Sequence, residues 1–132
     1  MATARTATLR AHGGPEAIGW EDRPLGEPGP GEARVRHHAV GLNYIDTYHR
    51  TGLYPVALPS GLGSEAAGVV EAVGEGVAHV APGDRVAYAG GPLGAYAEAR
   101  VMPAAPLVRL PDPVSFEEAA ALMLKGLTVH YL

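Results

Sequence analysis

Residues 32–73 read EARVRHHAVGLNYIDTYHRTGLYPVALPSGLGSEAAGVVEAV, and the ends of this stretch differ in kind from its middle. From Glu32 to Val40 one face carries Ala33, Val35, His37 and Ala39, and the other carries Arg34, Arg36 and His38. A period of two marks a strand. Glu65 to Val73 predicts a second strand, with small residues where another backbone must come close. Between them, Asn43 to Arg50 has helical spacing. Tyr44 stacks over Tyr48 and Asp46 over Arg50 at i, i+4, the latter an exposed pair worth ~0.3 kcal/mol. Gly52 ends the turn, Pro55 and Pro59 keep the next loop extended, and Gly61–Glu65 returns toward Asn43.

This irregular middle holds Asn43, Tyr44, Asp46, Tyr48 and Tyr54 in one turn of helix and the loop after it. Such a density of polar and aromatic groups between strands suits a ligand pocket. Half-buried tyrosines with wet hydroxyls, and an Asn that only caps a turn, would use the same residues. His37 and His38 point to opposite faces and cannot share a metal ion; both read as packing or solvated side chains.

Working outward, Thr6–Arg10 reads as a first strand and Ile18–Glu21 as a short second one. Pro24–Gly31, PLGEPGPG, reads as a surface loop. Arg85–Ala89, Gly94–Val101 and Leu107–Leu110 complete six or seven strands at the spacing of a barrel or sandwich. Ser115 and Glu118 form a capping box ahead of an apolar helical run, which Lys125-Gly126 interrupts. The helical pattern resumes at Leu127, and its unpaired apolar side at Leu132 leads us to expect a fragment of a longer chain.

The 132 residues suit one domain, with 18 Gly and 12 Pro spread through a 47% apolar chain of net charge −4. One lysine and scattered arginines make no basic stripe, so a nucleic-acid partner is not expected. No stretch has the length and apolarity of a membrane span, which leads to an expectation of cytoplasmic location. The absence of cysteine excludes disulfides, a thiol nucleophile and a thiolate zinc site.

Several blocks in order carry a resemblance: HGGPE (12–16), AVGLNYIDTYHRTGLYP (39–55), LPSGLGSEAAGVVEAVG (58–74), PGDRV (82–86), GAYAE (94–98) and SFEEAAALMLKGLTVHYL (115–132). Together they resemble the N-terminal domain of the zinc-independent, zeta-crystallin-like quinone oxidoreductases of the medium-chain dehydrogenase/reductase superfamily. The resemblance implies a mainly β, GroES-like, partly open β-barrel over residues 1–132, with a C-terminal helix leading to a Rossmann domain. No glycine fingerprint of that missing domain is present, since Gly61-x-Gly63 opens no helix.

Zinc-dependent members of the superfamily place a cysteine where Asn43 stands and Gly-His-Glu where Gly63-Ser64-Glu65 stands. Asparagine and serine are poor zinc ligands, so no metal is expected, and Glu65 reads as a structural carboxylate or a strand-edge charge.

The implied activity is hydride transfer from NADPH, with NADH the alternative, to a small-molecule quinone or an enone. By the same resemblance, Asn43, Tyr44, Ile45, Asp46, Thr47, Tyr48, Thr128 and Tyr131 hold the nicotinamide end, and Tyr48 and Tyr54 flank a flat quinone ring. Lys125 reads as a helix-end group or a phosphate contact. An enoyl reductase and a non-catalytic interaction module are the competing readings. The full-length protein is expected to be a homodimer, and the fragment alone to be monomeric and inactive.

Overall fold

The computed structural model describes residues 2–132. Its strands are β1 (Thr3–Leu9), β2 (Ile18–Pro24), β3 (Glu32–Gly41), β4 (Ser60–Gly61), β5 (Glu65–Val73), β6 (Arg85–Ala89), β7 (Ala99–Pro103) and β8 (Val108–Arg109). Helix α1 spans Tyr44–Thr51 and helix α2 spans Phe116–Tyr131. All pairings are antiparallel: one sheet runs β2-β1-β4 and the other β7-β3-β5-β6-β8. An isolated bridge between Thr6 and Ala97 ties the sheets together, giving the partly open barrel expected.

The alternation in β3 sets the core. Ala33 and Val35 are buried, and pack with Val70, Val86, Tyr88, Met102 and Leu107. Arg34 and Arg36 point outward, where both reach Glu71 on β5. Small residues decide where α2 sits. Ala67 and Ala87 on the sheet meet Ala119 and Ala120 on the helix, with Ala39 beside them, so the helix approaches closely. Gly41, at the end of β3, belongs to this contact: a Cβ there would lie 2.3 Å from the Ala120 carbonyl and 2.7 Å from the Glu65 carboxylate. Only a residue without a side chain fits.

The capping box forms as the spacing predicts, with Ser115 N–H donating to Glu118 Oε2 and Glu118 N–H to Ser115 Oγ, both at 3.0 Å. The His38 ring stacks on Phe116 at 4.4 Å, and the Arg85 guanidinium lies 4.7 Å from the same ring, fixing the helix start.

Three expectations need correction. Residues 94–98 are not part of a strand, because β7 begins only at Ala99. The Gly63 carbonyl accepts from both Gly94 N–H and Ala95 N–H, which is not a ladder pattern, and the segment pairs with β1 only at the single Thr6–Ala97 bridge. Helix α2 runs through Lys125-Gly126 without a break; one glycine costs a helix only ~1 kcal/mol, too little to end it by itself. Pro24 ends β2 opposite Thr3 rather than starting a loop, a strand-end position where its missing N–H is tolerated.

His37 is also more specialised than a solvated side chain. Its Nδ1 lies 2.7 Å from the Ala97 carbonyl and its Nε2 3.0 Å from the Tyr88 hydroxyl. The carbonyl can only accept, so Nδ1 carries the proton and the Tyr88 hydroxyl donates to Nε2. Burial, with Arg100 adding to it, lowers the His37 pKa to about 4.

Candidate functional site

Helix α1 is built at its N-terminus by a side chain from its own first turn. Asp46 is buried and accepts Asn43 N–H at 3.0 Å on Oδ2, the place where a helix favours negative charge. The same oxygen accepts the Tyr96 hydroxyl from the segment before β7. Burial, then Asp46, push the Tyr96 pKa up, so the phenol keeps its proton. The expected Asp46–Arg50 surface pair therefore does not form, and Arg50 instead donates to the Gly13 carbonyl at 3.1 Å. The helix closes at Gly52 in the left-handed conformation (φ 84°).

With Asp46 holding the backbone, the Asn43 side chain is free to point elsewhere. Its Nδ2 donates to Glu65 Oε2 at 2.7 Å. Glu65 is 0% exposed, which corrects its reading as a strand-edge charge. Its other oxygen, Oε1, accepts Leu124 N–H of α2 at 2.7 Å. From the same turn, Lys125 Nζ donates to Asn43 Oδ1 at 3.1 Å and stands 3.8 Å from Glu65 Oε2. One carboxylate thus joins the start of α1, the start of β5 and the middle of α2. Gly63, two residues before Glu65, has φ 92°, and a Cβ there would strike the Tyr96 ring at 2.3 Å. The GLGSE segment does return to Asn43, as its glycines suggest.

Zinc does not fit this donor set. Asn43 and Ser64 offer an amide and a hydroxyl, both poor zinc ligands. Both Glu65 oxygens already accept short hydrogen bonds, and a lysine ammonium occupies the adjoining space, where it would repel a metal cation.

Beside this buried knot lies an aromatic ledge. Tyr44 and Tyr48 meet edge to face at 5.3 Å, and Tyr48 and Tyr54 are tilted at 5.0 Å. Tyr44 is 76% and Tyr54 49% exposed, with Tyr48 half-buried between them. Tyr48 and Tyr54 touch, so a planar ring does not fit between them; it would lie against the surface they share. Ile45 is half-buried and the Thr47 hydroxyl donates to the Tyr44 carbonyl at 2.7 Å.

On α2, Thr128 Oγ1 donates to the Leu124 carbonyl at 2.9 Å, one turn beyond the knot. Tyr131 is 85% exposed near the helix end. The ledge suits a flat ring with polar edges, such as a nicotinamide or a quinone. Among the described residues nothing supplies a glycine-rich turn opening a helix for a pyrophosphate.

Cavity size does not single out this place. A concavity of about 650 Å³ lies between the two sheets and is lined by Trp20, His37, Leu42 and Tyr96, among others. A smaller one of about 320 Å³, between the β3 end and α2, includes Lys125, Leu42 and Val40. The tyrosine ledge is instead an open surface, as one wall of a cleft would be. Lys125 and Tyr96 were not among the sequence-predicted site residues. Lys125 carried a signal nonetheless, as the only lysine in the chain.

The sequence and the fold match known proteins. Residues 29–112 match the model of the alcohol dehydrogenase GroES-like domain. A quinone oxidoreductase of Pseudomonas aeruginosa is 59% identical over 98% of this chain and 40% of its own length. The structure of the Escherichia coli quinone oxidoreductase complexed with NADPH superposes with a TM-score of 0.94 at 48% identity, over 96% of this chain and 39% of that one. A 2-haloacrylate reductase from Burkholderia is 43% identical over 96% of this chain and 40% of its own length. The chain spans about 40% of the length of these relatives.

Proposed function

The chain belongs to the alcohol dehydrogenase GroES-like domain family, and from that premise we propose that it is the N-terminal catalytic part of an NADPH-dependent quinone oxidoreductase that works without zinc. On this reading residues 1–132 form one wall of a cleft, and a Rossmann-type domain of the same polypeptide forms the other and grips the nucleotide. The observation that carries the proposal is the tyrosine ledge set beside a knot whose only cation is the Lys125 ammonium. Support also comes from the quinone oxidoreductases among its relatives, one of them complexed with NADPH.

When bound, the reduced nicotinamide supplies a hydride. The chain's residues supply position and surroundings. On this reading Asn43, Tyr44, Ile45, Asp46, Thr47 and Tyr48 line the nicotinamide side, together with Thr128 and Tyr131 of α2. Tyr48 and Tyr54 offer an apolar face and phenol hydroxyls to a planar acceptor. A quinone accepts electrons readily, and solvent supplies the proton that completes its reduction.

Tyr48→Phe and Tyr54→Phe in the full-length enzyme test this. We expect kcat/KM for a naphthoquinone to fall about tenfold in at least one of them, the loss that follows from one hydrogen bond at a reacting site. Unchanged quinone turnover and NADPH affinity in both would remove the tyrosines from the site.

A second reading has its own support. The relative named for 2-haloacrylate, a conjugated alkene, favours reduction of an activated carbon–carbon double bond. A higher kcat/KM with an enone or an enoyl thioester than with any naphthoquinone would replace the first reading with this one.

A further inference from the structure

The Lys125 ammonium does something that the stability of the knot does not require. Both oxygens of Glu65 already accept N–H groups at 2.7 Å, from Asn43 and from Leu124, so the carboxylate is satisfied without the lysine. Nζ stands 3.8 Å from Glu65, beyond hydrogen-bond reach, and spends its bonds on Asn43 Oδ1 at 3.1 Å and the Leu42 carbonyl at 3.4 Å. A lysine on a helix surface ordinarily keeps its head in water, where its rotamer freedom is greatest. Lys125 is turned inward toward the start of α1, yet its side chain remains 52% exposed and lines the concavity shared with Leu42 and Val40.

We propose that Lys125 serves the reduction itself, as the residue that locks the Asn43 amide and holds a positive charge beside the substrate oxygen that becomes anionic. This rests on the oxidoreductase reading above. With Nδ2 committed to Glu65 and Oδ1 to Lys125, the amide has one orientation. The ammonium has three N–H groups, two of them directed at Leu42 and Asn43, and the third remains for a ligand.

The balance is simple. A quinone that takes a hydride from the reduced nicotinamide gains two electrons and one proton. It becomes a hydroquinone anion, while the cofactor leaves oxidised. The anion then takes one proton from water, and the lysine keeps its own. A fixed cation lowers the barrier because it meets charge that exists only after the hydride has begun to move. The charged groups facing Lys125 are Glu65 from β5 and, along the concavity, Glu117 of α2. Glu65 anchors the ammonium without saturating its hydrogen bonds.

The test compares Lys125→Met, Lys125→Gln and Lys125→Arg in the full-length enzyme. In Met and Gln we expect kcat for a naphthoquinone to fall by about 10- to 100-fold, the range for losing one partner of a developing oxyanion. KM, NADPH affinity and the thermal midpoint should change little, and Arg should restore most of the rate. A second readout needs no cofactor: calorimetric binding of a hydroxynaphthoquinone, anionic at neutral pH, against an uncharged methylnaphthoquinone. Both variants should lose about tenfold in affinity for the anion and keep that for the neutral ligand.

An unchanged kcat, or a kcat that falls together with thermal midpoint and neutral-ligand affinity and is not rescued by Arg, overturns the inference and leaves Lys125 a structural latch. Should Lys125→Met not fold, Lys125→Gln carries the same comparison. A wild-type enzyme that reduces no quinone contradicts the functional reading instead, whereas lysine-independent reduction contradicts only this inference.

Discussion

Replacing Glu65 with Ala should destabilise the protein by about 4 kcal/mol, more than other single truncations at the site. The side chain is fully buried and accepts two hydrogen bonds from groups that have come out of water to meet it. Alanine leaves Asn43 Nδ2 and Leu124 N–H facing a cavity, and each orphaned donor costs roughly 1–3 kcal/mol. The cavity itself adds a packing loss. Glu65→Gln should cost less, about 2 kcal/mol, because one amide oxygen still accepts, but its NH2 then opposes one of the two donors. Urea unfolding followed by circular dichroism measures both. The order Ala worse than Gln worse than wild type is expected, and an Ala variant within 0.5 kcal/mol of wild type, the range of a surface change, would show that the knot is not a structural junction.

The second large effect is a loss of stability in mild acid, caused by His37. Folded, this imidazole is protonated only below about pH 4, whereas in the unfolded chain it takes its proton near the ordinary value of about 6.5. The unfolded state therefore binds the extra proton throughout that window. The His37 contribution is complete above about pH 6.5 and drains away as the pH falls toward 4, amounting to roughly 2–3 kcal/mol by pH 4.5. Protonation would place a charge between the Ala97 carbonyl and Tyr88 with the Arg100 guanidinium close by. Carboxylates also titrate in this range, so the comparison is with His37→Gln, which holds no proton at either end. The difference in unfolding free energy between the two proteins should narrow as the pH is lowered from 7 to 4.5. A difference independent of pH would mean that His37 is not held neutral.

Much of the architecture was legible because it is written in short-range patterns. The period of two in Glu32–Val40 and the capping box at Ser115 and Glu118 became β3 and the start of α2. The tyrosines of α1 were identifiable as an aromatic cluster from i, i+4 spacing alone. What could not be read is the set of contacts between residues far apart in sequence. Asn43 meets Glu65 across 22 positions, Leu124 meets Glu65 across 59, and Lys125 meets Asn43 across 82.

No periodicity reports such contacts, so Glu65 could be read as a structural carboxylate or an edge charge without its partners, and Lys125 looked like part of a helix interruption. Asp46 failed for a related reason. The spacing to Arg50 is right for a surface pair, but a buried oxygen with two donors outweighs an exposed one worth tenths of a kcal/mol. The expectation of no zinc, by contrast, rests on residue type, since Asn43 and Ser64 are poor ligands wherever the fold puts them.

These particulars converge on one physical picture. A buried carboxylate holds three elements together, leaves a lysine ammonium and an asparagine amide at its rim, and sets them beside a ledge of tyrosines. The picture assigns ligand binding to that rim and ledge, although a concavity of about 650 Å³ lies elsewhere in the domain. The most direct measurement is a crystal structure of the full-length enzyme with NADPH and a hydroxynaphthoquinone. The prediction is a nicotinamide against the Tyr44–Tyr48 segment, with the naphthoquinone on Tyr48 and Tyr54 and its anionic oxygen within hydrogen-bond reach of Lys125 Nζ. A naphthoquinone lodged instead in the groove of Trp20 and His37, with the tyrosine ledge bare, would contradict the account.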